Sequence, residues 1–225
     1  MRLYLMGTRE LEDPREHPEW EELLPAGRWK KAISPLQPED RKNSAGAGWL
    51  LRYVLREEGF SPEAPVRYGA HGKPYCDGMH FNLSHSGEYV LCAVGEREIG
   101  CDIQKIMPCR PSMVRRFFSP EEQEYIFSVE GRERDIRFIT IWSRKESLLK
   151  RTGEGLTRDL RQVCCLSGEG FYDTQCGEYR ICVSCERAED AGETCVRLIL
   201  VDACLASPGD RRGRGAKEGI SGEAD

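Results

Sequence analysis

The stretch GCDIQKI, residues 100–106, places a single acid among apolar neighbours. Asp102 lies between Cys101 and Ile103, in a run that otherwise predicts a buried strand. A carboxylate in such a position is unfavourable unless an opposite charge or a metal ion compensates it. Gln104 follows two residues later, so in an extended chain its side chain lies on the same face as that of Asp102. The stretch therefore predicts a strand whose acid needs a partner from elsewhere in the fold.

Length and composition are those of an ordinary globular chain. The sequence has 225 residues, of which 39% are hydrophobic and 32% charged, and its formal net charge is −5. This length is enough for one domain or two small ones with a sizeable core. A strongly basic footprint is absent, so we expect no nucleic acid partner. No run approaches the roughly 20 apolar residues of a membrane span, and the N-terminus MRLYLMGTRE lacks a signal peptide's apolar region, so we expect a cytoplasmic protein.

The eleven cysteines are an odd and high number. In a secreted protein an odd count would leave one thiol unpaired, whereas in a reducing cytosol cysteines act as small apolar residues. CVSC, residues 182–185, is a lone C-x-x-C in an alternating, strand-like run. No second pair stands at zinc-finger spacing, so a zinc site is not favoured.

Hydrophobic periodicity predicts an α+β chain. Residues 2–6, 65–69 and 79–84 favour strands, and residues 44–58 favour a helix that stops at Gly59. Residues 88–95 and 98–103 favour two stronger strands, which the intervening EREI predicts to form a hairpin.

The second half continues with helices and then strands. Residues 112–119 favour a helix, and Ser119, Pro120 and Glu122 form a capping-box pattern that starts another, ended by Gly131. A further helix is predicted at about 134–151, followed by strand-like runs at 161–166, 178–185 and 195–204.

Strands and helices alternate in comparable order in both halves of the chain. This order permits an α+β pseudo-repeat, with an N-terminal half at 1–105 and a C-terminal half at 106–206. Residues 207–225 are Gly-rich and charged, and predict a disordered tail.

Glu146 is the second acid of interest. It lies on the predicted helix 44 residues after Asp102, so only tertiary folding could bring the two together. Two carboxylates and the Gln104 amide would suit Mg²⁺, which prefers oxygen ligands and often shares them with substrate phosphates. The alternative for Asp102 is an ion pair with Arg or Lys, or a turn-capping role.

Trp142, Glu146 and Lys150 follow one another at i, i+4 spacing and therefore share one helix face. Glu146 and Lys150 are either a surface ion pair worth roughly 0.3–0.5 kcal/mol, or an acid and a cation that face a polyphosphate. Ser84 and His85 lie between two strands, but the G-x-S-x-G elbow of a hydrolase is absent. A loop that hydrogen-bonds a phosphate fits these two residues better than a Ser–His pair.

Four segments occur in this order and at compatible distances: FNLSHSGEYV (residues 81–90), IGCDIQK (99–105), RRFFSPEE (115–122) and WSRKESLLK (142–150). Together they resemble the 4′-phosphopantetheinyl transferases of the larger, monomeric type that activates surfactin synthetase. That family's signature is roughly (I/V)-G-(I/V)-D followed, after several tens of residues, by (F/W)-S-x-K-E-(A/S)-x-x-K. The second part matches at every position, and the first differs only at Cys101.

The resemblance implies two similar α/β halves related by pseudo-twofold symmetry, with coenzyme A bound in the cleft between them. It implies a Mg²⁺-dependent enzyme, active as a monomer, that moves the phosphopantetheine arm of coenzyme A onto a serine of an acyl or peptidyl carrier protein. These motifs do not reveal which carrier or pathway is served.

The resemblance also implies roles for individual residues. Asp102 and Glu146 match the metal-binding acids, and Lys150 matches a lysine beside the pyrophosphate that stabilises or protonates the leaving group. Glu146, directly or through water, would take the proton of the carrier serine. Ser84 and His85 match positions that contact the nucleotide phosphates, and Lys73 and Pro74 match a loop beside the adenine.

Two features depart from the family. Many relatives carry Glu where this chain has Gln104, whose amide oxygen can still ligate or orient a metal-bound water but carries no charge. The residues that would bind the 3′-phosphate of coenzyme A are also ambiguous, because each candidate could equally be a solvated charge on a polar loop. The candidates are Arg28, Lys30, Lys31, Arg41 and Lys42. Loss of the third acid leaves one competing hypothesis, a degenerate member that binds coenzyme A or a carrier without transfer.

Overall fold

The computed structural model describes residues 1–25, 27–69, 72–155, 159–192 and 196–203. The strands are β1 (Arg2–Gly7), β2 (Arg67–Tyr68), β3 (Pro74–Tyr75), β4 (His80–Ser86), β5 (Tyr89–Gly95), β6 (Ile99–Lys105), β7 (Phe171–Cys176), β8 (Tyr179–Cys185) and β9 (Arg197–Val201). The α-helices are α1 (Arg28–Ile33), α2 (Pro38–Glu57), α3 (Pro111–Phe117), α4 (Pro120–Phe127) and α5 (Gly131–Thr152). Short 3₁₀ helices span Pro14–Glu16, Pro18–Leu23, Leu160–Gln162 and Ala188–Ala191. The predicted tail, residues 207–225, lies outside the described residues.

The strands form two main sheets. The first has the order β4-β5-β1-β9, in which β1 runs antiparallel to β5 and parallel to β9. The second is antiparallel with the order β6-β8-β7, and β2 and β3 form a small ribbon of their own. This mixed architecture confirms the α+β prediction.

The predicted hairpin between residues 88–95 and 98–103 is wrong. β5 belongs to the first sheet, whereas β6 pairs with β8 in the second, so the EREI turn carries the chain from one sheet to the other. The apolar pattern identified both strands correctly but could not identify their partners, because burial on both faces is compatible with either sheet.

The two sheets pack face to face between the two long helices. α2 covers one face of the first sheet, where its apolar residues contact Tyr4 and Met6. The opposite face of that sheet, with Leu3 and Leu5, packs against the β6 and β8 residues of the second sheet, of which Ile181 is fully buried. α5 covers the outer face of the second sheet. The core is therefore divided into layers. The strand orders place β4 at an edge of the first sheet and β6 at an edge of the second.

The helix boundaries are set by caps and by proline. α2 begins at Pro38, earlier than predicted, because proline at the first helical position has its φ already fixed. The predicted capping box of α4 is confirmed, since Ser119 and Glu122 bond each other's backbone amides. Gly131 does not end this helix but begins α5, and its positive φ of 58° lets the chain reverse between the two helices.

Residues 161–166, predicted as a strand, do not form one. Backbone groups of residues 160–165 are instead bound by a fully buried ion pair between Lys145 of α5 and Glu122 of α4, whose charged atoms are 2.8 Å apart. The ammonium donates to the carbonyls of Leu160 (2.8 Å) and Val163, and the carboxylate accepts from the amide of Cys165 (2.7 Å). These side chains satisfy the groups that a strand ladder would otherwise pair.

β6 approaches α5 so closely that only glycine fits at position 100. A Cβ on Gly100 would lie 2.0 Å from the carbonyl oxygen of Ser147 and 2.5 Å from the amide nitrogen of Arg151. Both are backbone atoms, so no rotamer change could relieve the contact. Gly100 therefore fixes the distance between the strand that carries Asp102 and the helix that carries Glu146 and Lys150.

We expect Gly100→Ala to lower the free energy of unfolding by at least about 1–3 kcal/mol, because α5 must move away from β6. Gly7→Ala is the matched control, since a Cβ on Gly7 meets nothing within 4 Å. Urea denaturation of both variants measures the difference. Equal stability of the two variants would contradict the close approach of β6 and α5.

Candidate active site

The edge strands β4 and β6 are joined by side chains rather than by a backbone ladder. Three polar residues of β4 accept hydrogen bonds from alternate backbone amides of β6. The pairs are Asn82 Oδ1 with the Cys101 amide (3.0 Å), Ser84 Oγ with the Ile103 amide (3.3 Å) and Ser86 Oγ with the Lys105 amide (3.1 Å). These bonds satisfy the β6 amides that point away from β8.

This junction is not among the features predicted from the sequence. Asn82, Ser84 and Ser86 alternate with Phe81 and Leu83 in β4, and a period of two places all three polar side chains on one strand face. Asn82 and Ser84 are nevertheless buried. A row of polar residues on the buried face of a strand is the signal that could have predicted it.

A cavity of about 420 Å³ lies beside this junction. Its walls come from α1, α2, the residues around β3, β4, β6 and the C-terminal turns of α5. The predicted site residues that line it are Arg28, Lys31, Lys73, Pro74, Ser84, His85, Asp102, Gln104, Glu146 and Lys150. Segments that are distant in sequence, from Arg28 to Gly155, thus meet in one cavity.

Asp102 has two partners at one oxygen and none at the other. Its side chain is 1% exposed, and Oδ1 accepts from Lys150 Nζ (2.6 Å) and from Ser84 Oγ (2.9 Å). Oδ2 is buried and has no hydrogen-bond partner within the part of the chain that the structure describes. The ion pair that the sequence left as an alternative is therefore present, and one carboxylate oxygen remains available.

Lys150 stays charged in this environment. Burial by itself lowers the pKa of Lys150, but the charge and hydrogen bond of Asp102, together with smaller contributions from Cys101 and Glu146, outweigh burial and raise the pKa above its usual value. Lys150 also donates to Ser84 Oγ at 2.8 Å. A lysine with a raised pKa is a cation at neutral pH, suited to stabilise negative charge rather than to act as a base.

Glu146 lies in the same cavity, one helical turn before Lys150. Burial raises the pKa of Glu146, and the like charge of Asp102 raises it further, while Lys150 opposes the shift. Gln104 lies in the cavity lining beside these acids. Two carboxylates and one side-chain amide therefore line the same cavity.

The cavity lining is positively charged although the chain is net negative. Four cationic side chains and two carboxylates line it. Among the cations, Arg28 is 3% exposed, and its Nε is buried with no hydrogen-bond partner among the residues described. Burial and the charge of Arg28 lower the pKa of Lys31. Such a lining favours an anionic ligand with several charges.

Ser84 and His85 do not act as a pair. The Ser84 hydroxyl donates to Asp102 and accepts from Lys150 and from the Ile103 amide, which uses its whole hydrogen-bonding capacity. His85 follows it on the opposite strand face, and surrounding protein and the charge of Lys150 lower its pKa. This arrangement argues against a serine hydrolase.

Three of the five predicted cations are not among the described residues that line the cavity: Lys30, Arg41 and Lys42. Arg41 forms an ion pair with Asp13 and donates to the carbonyls of Pro35 (3.1 Å) and Leu36 (2.6 Å). Arg41 instead fixes the segment between α1 and α2.

Other candidate sites have a structural explanation. Cys182 contacts Ser147 on the α5 side of β8, whereas Cys185 lies three residues later on the opposite face, so the two cannot share a metal ion. Within the described ranges, no cluster of three His, Cys, Asp or Glu side chains could hold a metal ion. No helix in these ranges is long and apolar enough to cross a membrane.

Comparison with known proteins identifies the family. Residues 98–195 match the model of the 4′-phosphopantetheinyl transferase superfamily. The 4′-phosphopantetheinyl transferase AcpT of Salmonella typhimurium is 33% identical over 136 residues, which cover 58% of this chain and 69% of that protein. The chain belongs to the 4′-phosphopantetheinyl transferase superfamily. The resemblance predicted from the four motifs is confirmed.

Two further relatives define the extent of the similarity. A 4′-phosphopantetheinyl transferase of Bacillus subtilis is 39% identical over 127 residues, or 54% of this chain and 57% of that protein. The 4′-phosphopantetheinyl transferase psf-1 of Bacillus pumilus is 28% identical over 168 residues, or 71% of this chain and 72% of that protein. The chain thus aligns with little more than half of the Bacillus subtilis protein. Asp102, Glu146 and Lys150 lie within the superfamily match, whereas Arg28 and Lys31 precede it.

We expect Ser84→Ala to lower the free energy of unfolding by about 1–3 kcal/mol, because the buried Ile103 amide and Asp102 each lose a partner. Ser86→Ala is the matched control on the same strand, since its bond to the Lys105 amide is exposed and should cost less than about 0.5 kcal/mol. Urea denaturation followed by circular dichroism tests the comparison. Equal effects at the two serines would contradict the role of Ser84 at the junction.

Proposed function

We propose that this protein transfers the 4′-phosphopantetheine arm of coenzyme A to a serine of an acyl or peptidyl carrier protein. The observation that carries the proposal is that Asp102, Glu146 and Lys150 line one positively charged cavity. Membership of the superfamily and the names of the relatives support this type of reaction.

The reaction breaks the pyrophosphate of coenzyme A. The oxygen of the carrier serine bonds to the phosphorus that bears the pantetheine arm, and the bond from that phosphorus to the bridging oxygen breaks. Adenosine 3′,5′-bisphosphate leaves with the bridging oxygen, and the serine proton passes to a base. Negative charge develops on the leaving phosphate, so nearby cations lower the barrier.

The proposed roles follow from charge and position. Lys150, kept protonated by Asp102, stabilises the charge on the leaving phosphate or protonates it. Glu146, directly or through water, accepts the proton of the carrier serine. Asp102 has a second role, since its bond from Ser84 joins β6 to β4 and its bond from Lys150 joins β6 to α5.

Mg²⁺ fits the donor set of the cavity. Asp102 Oδ2 is buried without a partner among the described residues, and Glu146 and Gln104 lie in the same lining. Mg²⁺ usually binds one or two protein carboxylates together with substrate phosphates and water. We propose Asp102, Glu146 and Gln104 as its ligands, with Gln104 binding directly or through water. When bound, the ion would neutralise charge on the pyrophosphate.

The remaining cavity residues are proposed to bind coenzyme A. Arg28, whose Nε has no partner among the described residues, and Lys31 are suited to the 3′-phosphate. His85 is proposed to contact the other phosphates, whereas Ser84 is left out of this role, because its hydroxyl is fully used by protein groups. Lys73 and Pro74 belong to the loop proposed to lie beside the adenine. Arg41 and Lys42 are left out of this proposal, because they do not line the described cavity.

Incubation with coenzyme A, Mg²⁺ and a panel of apo carrier proteins tests the proposal. Intact mass spectrometry should show the phosphopantetheine arm on at least one carrier. We expect Asp102→Ala and Glu146→Ala to slow transfer by at least about 100-fold. Glu130→Ala is the control, because this acid is 93% exposed and lies outside the cavity.

Two results would contradict parts of this proposal. Near-normal transfer by Asp102→Ala would exclude its assignment as metal ligand and partner of Lys150. Binding of coenzyme A without transfer to any carrier in the panel would favour the competing hypothesis of a non-catalytic binder.

We expect Gln104→Glu to preserve transfer and to lower the Mg²⁺ concentration needed for half-maximal rate by about 10-fold, because a third carboxylate increases the attraction for the ion. Titration of the initial rate with Mg²⁺ measures the change. Gln162→Glu is the matched control, an exposed amide outside the cavity. A folded but inactive Gln104→Glu variant would mean that the amide N–H of Gln104 holds substrate.

We also propose that the protein acts as a cytoplasmic monomer, with neither nucleic acid nor a membrane as a partner. We further propose that the chain consists of two halves related by pseudo-twofold symmetry. Support for the repeat comes from element order, since β1-α2-β4-β5 and β6-α5-β7-β8 each contain a strand, a long helix and a hairpin. The sheet orders β4-β5-β1 and β7-β8-β6 correspond as well. The division into residues 1–105 and 106–206 stays a prediction; β6 pairs in the second sheet, and β9 returns to the first.

Light scattering during size-exclusion chromatography should give the mass of one chain at working concentration, because a single chain supplies all the described walls of the cavity. A stable trimer would contradict the proposed monomer. The same measurement on Asp102→Ala controls for assembly caused by misfolding.

A further inference from the structure

The ammonium group of Lys73 already interacts with other groups of the protein. Its Nζ donates to Glu98 Oε2 at 2.6 Å and to the carbonyl oxygen of Arg151 at 2.8 Å, and its side chain is only 19% exposed. His80 contacts the other oxygen of Glu98 at 3.2 Å. An ammonium that is engaged in this way contributes little net charge to a ligand in the cavity.

These contacts join three segments that are distant in sequence. Lys73 precedes β3, Glu98 immediately precedes β6, and Arg151 lies in the last turn of α5. The carbonyls of a helix's last turn have no amide partner within the helix, and a cation placed there is favoured by the helix dipole. Lys73 therefore ties the loop before β3 both to the end of α5 and to the turn before β6.

The loop that Lys73 anchors is a wall of the cavity. Gly72, Lys73 and Pro74 all belong to the lining. The loop is closed by two backbone bonds of 2.9 Å, from the Gly69 amide to the Lys73 carbonyl and from the Gly72 amide to the Gly69 carbonyl. The small ribbon of β2 and β3 pairs only two residues on each strand, so it provides little further restraint.

We propose that Glu98 is a positioning residue, whose ion pair with Lys73 holds residues 72–74 against the end of the helix that carries Glu146 and Lys150. This inference rests on the proposed function, because it assigns the loop to the binding of coenzyme A. Glu98 is not among the described residues that line the cavity. It acts on the cavity wall through its ion pair with Lys73.

A direct role of Lys73 in ligand binding makes the opposite prediction. If the ammonium contacts a phosphate of coenzyme A, removal of Glu98 frees a cation and should strengthen binding or leave it unchanged. If Lys73 positions the loop, removal of Glu98 loosens the wall and weakens binding. Glu98→Ala therefore distinguishes the two roles.

We expect Glu98→Ala to raise the Kd for coenzyme A, measured by isothermal titration calorimetry, by roughly 3- to 10-fold. KM for coenzyme A should rise in parallel while kcat stays within about twofold, because the chemistry depends on residues that the variant leaves intact. Glu96→Ala is the matched control, since Glu96 is an exposed acid of the same turn and should leave Kd unchanged.

The pair can also be tested as a unit. Once Lys73→Met has removed the ammonium, adding Glu98→Ala should produce no further rise in Kd. In both single variants without ligand, the amides of Gly69 and Gly72 should exchange hydrogen faster than in the parent protein, while those of β1 should not change.

A Kd that falls or stays constant in Glu98→Ala, or additive effects in the double variant, would overturn the proposal. Unchanged exchange at Gly69 and Gly72 would overturn it as well. Calorimetry and hydrogen exchange require no carrier protein, so failure of the transfer reaction itself would be recognised separately.

Discussion

Asp102 is a buried carboxylate on an edge strand, and the fold supplies its partners from two other elements. Ser84 reaches it from the edge strand of the other sheet, and Lys150 reaches it from the long helix behind it. A carboxylate removed from water is strongly unfavourable unless it is paired and hydrogen-bonded, so these three elements must keep their separation. Gly100 sets that separation on the helix side, where no side chain could fit.

The same arrangement explains why the cavity lies where it does. Two edge strands meet without a backbone ladder, and the side chains of Asn82, Ser84 and Ser86 bridge the gap. A junction built from side chains leaves space beside it, and the C-terminal turns of α5 and the N-terminal half of α2 help to enclose that space. Cationic residues from several segments converge there, so a chain with net negative charge presents a local positive field to an anionic ligand.

The motif WSRKESLLK combines chemistry and packing on one helix. Glu146 and Lys150 face the cavity, whereas Lys145 is fully buried on another side of α5 and pairs with Glu122. Removing one partner from such a pair typically costs about 3–5 kcal/mol, because the other charge is left buried alone. In the sequence, a lysine in this motif suggests phosphate binding. Lys145 is instead part of the core, because it lies on a different face of α5 from Lys150.

By itself, the sequence determined most of the local elements and indicated the polar residues to which the proposed mechanism assigns roles. Helical spacing placed Glu146 and Lys150 on one face, the period of two placed Asp102 with Gln104, and the capping box started α4. The four motifs were enough to predict the family. These features are local, because each depends on residues within a few positions of one another.

Only the tertiary structure decided which elements meet. It separated β5 from β6, although the sequence predicted a hairpin, and it brought Arg28 into the cavity while Asp13 and nearby carbonyls held Arg41 away. It also showed that Asp102 has both an ion pair and an oxygen without a partner in the described part of the chain, where the sequence had offered an ion pair and a metal site as alternatives. Pairing between distant segments depends on how whole faces pack and on which buried polar groups find partners, and no pattern within a single segment contains that information.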